Sequence, residues 1–195
     1  MQWVNTSGRY GAVSQTIHWI TAALVVVLIV SGKAGDIDAE EGSGLYFWHS
    51  SLGLLILLLV VARILWRFVT PPPKLPAATS RLAGRVATGL HLLFYVFLLA
   101  LPISGWLASS AEGDTVSFFG LATLPQWSAG GEDFFEEAHE VLGNILLFLV
   151  ILHALAALKH HLIDKDDVLL RMLPSSKKPV GSSGDGGSHA PQGSA

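Results

Sequence analysis

Eight histidines, at positions 18, 49, 91, 139, 153, 160, 161 and 189, stand in a chain of 195 residues that contains no cysteine. They are the residues with most scope for chemistry, since imidazole is the commonest protein ligand for transition metals and for haem iron. His139 and His153 are 14 positions apart. On one helix that spacing is about 40° short of four turns, so both would share a face while standing roughly 21 Å apart along the axis. Such a helix offers one ligand at each of two levels. The missing cysteines exclude a thioether-attached haem, an all-cysteine iron–sulfur cluster, a disulfide framework and a thiol nucleophile. The two methionines add little.

The elements that must hold these ligands are legible from charge. The stretches 10–32, 42–62, 86–111 and 141–158 carry no Lys, Arg, Asp or Glu. Each is long enough to span a ~30 Å hydrocarbon core as a helix, which takes about 20 apolar residues. Mean hydropathy is +0.51 and only 14% of residues are charged, more apolar than a soluble domain of this length. Runs such as 54–62 lack the alternation of a barrel strand, and a backbone in lipid must satisfy its own hydrogen bonds. The expected fold is therefore an all-α membrane protein, a four-transmembrane-helix bundle over residues 1–174. Its helices are expected near 15–32, 46–68, 88–108 and 136–160. The first span could be read as a signal peptide, but little basic charge precedes it and it holds His18. Residues 175–195, rich in Gly, Ser and Pro, read as a disordered cytoplasmic tail.

Eleven of the twelve Lys and Arg residues fall before the first span, between the second and third, or after the fourth; only Lys33 falls on the other side. The positive-inside rule then predicts N-in and C-in. The outer loops hold eleven acidic residues, including Glu112, Asp114, Glu132, Asp133, Glu136, Glu137 and Glu140. Each histidine thereby acquires a depth. His49 and His139 fall near the outer face, and His18 and His153 near the inner one. Antiparallel neighbours could complete two pairs, one per face. His49 and His139 are each followed four residues later by glycine, Gly53 and Gly143. A flat ligand lying against a helix needs a surface without Cβ there, although glycine also serves plain helix packing. Arg63, 14 residues after His49, should face the same interior at the depth of His153, where an anionic propionate is a natural partner. His91 is read as opening the third helix, a spare that could displace His18 as ligand. Tryptophans near span ends fit the aromatic belt.

These residues resemble the bacterial cytochrome b561 family of di-haem membrane cytochromes. The matching pieces are TIHW at 16–19, WHSSLG at 48–53, HLLFY at 91–95 with ALPISG after it, AHEVLGN at 138–144, LHALAALKHH at 152–161 and DKDDVLLRMLP at 164–174. The likeness covers nearly all of 9–174. It implies two haem b groups with His18, His49, His139 and His153 as axial ligands to iron, and a ubiquinone site on the cytoplasmic side near His160 with Thr16. It also implies a multi-pass protein of the bacterial inner membrane, carrying electrons between a periplasmic donor and ubiquinone. Family members include superoxide oxidases, and related cytochromes act as haem-bearing anchor subunits of dehydrogenases or hydrogenases.

The acidic outer loops bear on the choice among these. A site collecting superoxide should present positive charge, and this chain presents the opposite sign. Transmembrane electron transfer from a basic protein or an uncharged donor is therefore the expected function, with superoxide:ubiquinone oxidoreduction and the anchor role as alternatives. A histidine-lined metal transporter would want intramembrane carboxylates, and the inferred membrane core has none. No nucleic-acid partner is expected.

Overall fold

The computed structural model describes residues 2–34, 44–74, 80–127 and 130–174. Four long helices follow one another: α1 (Ala12–Lys33), α2 (Gly44–Val69), α3 (Arg81–Glu112) and α4 (Glu132–Lys159). Each is long and apolar enough to cross a membrane. α1 packs on α2, α2 on α3 and α3 on α4. The expected tail, 175–195, and the acidic residues 36–41 lie outside the described residues.

Two ends are defined by contacts. At one, Asn5 donates to the Thr70 carbonyl at 2.9 Å, Lys74 N–H to the Ser7 carbonyl at 3.1 Å, and Arg9 to the Leu173 carbonyl at 2.7 Å. This terminal end gathers the start of α1, the end of α2 and the segment after α4. At the opposite, loop end, Ser31 meets His49 across the first helix pair. A short hairpin there, β1 (Ser117–Phe118) and β2 (Ala122–Thr123), has no signature in the hydropathy. It turns through Phe119 and Gly120 at φ 51° and 72°. Glycine meets that left-handed turn at no steric cost, whereas Phe119 is held in it by its N–H bonding the Ser51 hydroxyl at 3.1 Å.

The distribution of polarity is that of a lipid-facing bundle. The apolar core is small: Val25, Ile56, Val60, Phe97, Leu146 and Leu149. Ser14, Gln15, Thr21, Ser51, Ser104 and Ser110 are buried, while Val26, Val30, Leu58, Leu65, Val96, Phe148 and Leu155 point outward. In water that arrangement would leave a large apolar surface exposed; in lipid it hides the polar groups, which bond each other or backbone carbonyls.

α3 begins seven residues before the expected 88. Ser80 caps it, its hydroxyl accepting the Ala83 N–H at 3.2 Å, and so carries Arg81 and Arg85 on helix rather than loop. His91 consequently sits ten residues inside α3, not at its start. α4 starts four residues before the expected 136, with Glu132 and Asp133 in its first turn, where the helix dipole favours negative charge.

Candidate functional site

An imidazole nitrogen lies about 2.0 Å from a bound transition-metal ion and about 1.1 Å from its own ring centre. Two imidazoles facing each other across one ion therefore have ring centres about 6.2 Å apart. His49 on α2 and His139 on α4 have ring centroids 6.2 Å apart. His18 on α1 and His153 on α4 have theirs 6.3 Å apart. The two pairs sit at the loop end and the terminal end, joined by the unbroken α4. His91 on α3 is also near His153, at 6.0 Å, so the terminal pair has a third imidazole beside it.

Hydrogen bonds set the tautomers at the loop end. The Ser31 hydroxyl donates to the Leu28 carbonyl at 3.0 Å, so at 2.8 Å it accepts from His49 Nδ1. His139 Nδ1 bonds the Leu101 carbonyl at 3.0 Å, and Ser104, which itself donates to Leu101, stands 3.2 Å from the same nitrogen. Carbonyls only accept, so Nδ1 of both rings carries the proton. Each Nε2 is left as a lone-pair ligand, the form in which neutral histidine binds a metal.

A cavity of about 570 Å³ opens between these two rings. That volume lies in the range of small-molecule and cofactor sites. Leu28, Leu54, Leu98 and Leu146 give it apolar walls, and Gly53 and Gly143 line it too. A Cβ on Gly53 would meet nothing within 4 Å, and one on Gly143 only Leu101 Cδ2 at 4.0 Å. Both glycines thus leave room in the cavity, as a flat ligand against α2 and α4 requires. Gly105 does something different. A Cβ there would lie 3.0 Å from His139 Cε1 and 3.1 Å from Nδ1, so glycine is what seats this ring against α3. Glu112, Asp114, Glu136 and Glu140 also line the cavity, with Lys33 the one cation among the described lining residues. The residues present fit a haem.

The terminal end differs. Arg63 Nη1 is 3.1 Å from His18 Nδ1. A guanidinium only donates, so His18 Nδ1 is the acceptor here and its proton sits on Nε2. Ligation through Nε2 requires Arg63 to release this ring. Phe94 packs edge-on against His153, with centroids 5.3 Å apart.

Of the other residues singled out in the sequence, His160 lies past the end of α4 in a π-helical turn, bonded to Asp166. Thr16 is exposed near the start of α1, one turn before Trp19 on the same face. Ser31, Leu101, Ser104 and Gly105 were not among the expected site residues. ALPISG contained three of them, but which helix they face depends on packing.

The chain matches the prokaryotic cytochrome b561 family over residues 9–175. It is 38% identical over 191 residues to "Cytochrome b561 homolog 2" of Escherichia coli (strain K12), covering 93% of this chain and 100% of that one. It is 32% identical over 173 residues to "Probable superoxide oxidase CybB" of Yersinia pestis, covering 87% and 98%. It is 29% identical over 171 residues to "Cytochrome b562" of Cereibacter sphaeroides, covering 84% and 94%.

Proposed function

The chain belongs to the prokaryotic cytochrome b561 family of multi-pass, b-haem-binding electron-transfer proteins, and from that membership we propose that it carries electrons through two haems to ubiquinone. His49 and His139 would ligate one haem and His18 and His153 the other. The observation that carries this reading is the recurrence of a metal-spanning imidazole pair, 6.2 and 6.3 Å, at both ends of one continuous helix. Haem held by these histidine pairs would supply reversible one-electron chemistry.

The chain's own residues do the rest. Ser31 and Leu101 hold the His49 and His139 rings through Nδ1, and leucines give the cavity its apolar walls. Arg63 is placed to exchange His18 for a propionate, a charge-assisted partner better than a neutral ring. The charge bias of the loops supports N-in and C-in in the bacterial inner membrane, with the loop end periplasmic. Ubiquinone would then be reduced at the cytoplasmic end beside His160, near the exposed Thr16 face of α1. The donor enters at the loop end, where Glu112, Asp114, Glu136 and Glu140 line the cavity. Those carboxylates suit a basic protein or an uncharged donor.

A second reading, superoxide oxidation, is favoured by the name of the Yersinia pestis relative. Stopped-flow reduction of the haems at several ionic strengths separates the two. The acidic mouth predicts that superoxide reduces the protein well below the steered range of about 10⁸ M⁻¹s⁻¹, and faster as salt screens the repulsion. A basic protein donor should show the opposite trend. Superoxide reduction on the order of 10⁸ M⁻¹s⁻¹, slowing with salt, would make superoxide:ubiquinone oxidoreduction the function. An anchor role for a dehydrogenase or hydrogenase uses the same ligands and would show as a copurifying subunit.

A further inference from the structure

We propose that Asp166 is a positioning residue for proton transfer through His160, an inference that rests on the quinone reading above. α4 gives way after Lys159 to one wider turn, the π-helical His160–Asp164. Such turns displace side chains from the helical register and recur at functional sites. Lys165 then takes a left-handed conformation, φ 52°, uncommon for a residue with a Cβ. The reversal brings the Asp166 N–H to the His160 carbonyl at 3.1 Å. It also places Asp166 Oδ2 at 2.6 Å from His160 Nδ1, while Oδ1 accepts the Val168 N–H at 3.1 Å. Both carboxylate oxygens are thus committed, one to the backbone and one to the ring.

The frame that carries Asp166 is itself tied down. Arg171 pairs with Asp167 at 3.0 Å and donates to the Lys74 carbonyl at 2.8 Å. Gln15 reaches the Arg171 carbonyl at 3.2 Å, and Trp19, next to His18, donates to the Met172 carbonyl at 2.8 Å. The segment after α4 is therefore strapped to the turn of α1 that holds a haem-ligand candidate. Asp164 Oδ2 stands 3.3 Å from His160 Nδ1 but is held by Lys159 at 2.6 Å, which leaves Asp166 as the carboxylate committed to the ring.

The chemistry follows from the acceptor. A carboxylate cannot donate, so His160 Nδ1 keeps its proton and Nε2 becomes the exchangeable position. Part of the ring is exposed, its side chain at 38% of full accessibility, so both water and a bound quinone can reach it. Reduction of a quinone takes two electrons, supplied one at a time by the family's electron-transfer activity, and two protons. With both nitrogens protonated, His160 Nε2–H gives its proton to a quinone carbonyl oxygen as an O–H bond forms and the N–H bond breaks. The neutral ring then takes another proton at Nε2 from cytoplasmic water, ready for the second oxygen. Asp166 keeps the ring in this tautomer and aim through both transfers.

The test uses the full-length haem-loaded protein, reduced with dithionite and mixed with decyl-ubiquinone over a range of concentrations. Asp166→Ala and Asp166→Asn should lower the limiting reoxidation rate roughly tenfold or more, as loss of an orienting partner does. Asp166→Glu should recover part of it. The slowed variants should show a larger solvent deuterium isotope effect, yet be oxidised by ferricyanide, which takes no proton, at the unaltered rate. If His160→Ala is slow while Asp166→Ala is not, the positioning role falls and the quinone reading stands. If both reoxidise at the unaltered rate, the quinone reading falls and takes this inference with it. Equal slowing with quinone and ferricyanide would make Asp166 merely structural and overturn the proposal.

Discussion

Replacing His139 with alanine is expected to empty the loop-end site of haem, and replacing His153 to empty the terminal one, each variant keeping the other haem at least in part. The expectation follows from two imidazole pairs, His49 with His139 and His18 with His153, that share only α4. Along that helix 14 residues separate the two levels by roughly 21 Å, too far for one porphyrin to bridge. Iron would keep a single axial histidine in either variant, so the loss should approach completeness on purification. His18→Ala should match His153→Ala. His91→Ala should retain the terminal haem, although the His91 ring lies 6.0 Å from His153. Haem-to-protein ratios and reduced-minus-oxidised spectra of the four variants decide it. Loss of the same haem from His139→Ala and His153→Ala would refute the two-level arrangement, and retention in His18→Ala with loss in His91→Ala would exchange the assigned ligand.

The glycines of the loop-end site should answer substitution in two different ways. Gly105→Ala alone should weaken haem there, because the new Cβ would lie 3.0 Å from the His139 ring and must push it off its bond to Leu101. Overpacking of this kind costs about 1–3 kcal/mol, or roughly 5- to 150-fold in affinity. Gly53→Ala and Gly143→Ala meet no such protein contact, the nearest atom being Leu101 Cδ2 at 4.0 Å from the latter, and should act only through the cavity space the new Cβ takes, a smaller effect than that of Gly105→Ala. Leucine at either position would reach into the cavity and should displace most of it. Leu55→Ile, two residues from Gly53 and outside the lining, serves as the control. Haem titration of each variant measures the order. Full occupancy in Gly53→Leu and Gly143→Leu would reduce both glycines to packing residues.

Much of this was legible before any coordinate. A charge-free stretch of 18 residues or more in a chain of this hydropathy has few alternatives to a spanning helix, so each of the four became a helix, with α3 beginning seven residues and α4 four residues earlier than expected. The His139–His153 spacing is a property of one helix, hence readable, and the glycines four residues after His49 and His139 follow from the same periodicity. What escaped depends on how helices meet. The partners of the ring nitrogens, Ser31 on α1 and Leu101 on α3, lie on helices other than those of the rings they hold. Gly105 approaches His139 from α3, a relation that no spacing within α4 encodes. His91 was placed at a helix start because Arg81 and Arg85 look like loop; the Ser80 cap extends α3 through them. Asp166 reads as one of three aspartates in a polar turn until the left-handed Lys165 folds it back on His160.

The count of haems in the purified protein tests the central claim most directly. A pyridine haemochrome assay set against protein concentration from amino-acid analysis gives moles of haem b per chain, and acid–acetone extraction shows whether it is covalently held. Two haems per chain, both extracted, is the expected result, since the chain has no cysteine to anchor either and two imidazole pairs to ligate them. One haem per chain, or none, or a haem left behind in the protein pellet, would contradict it.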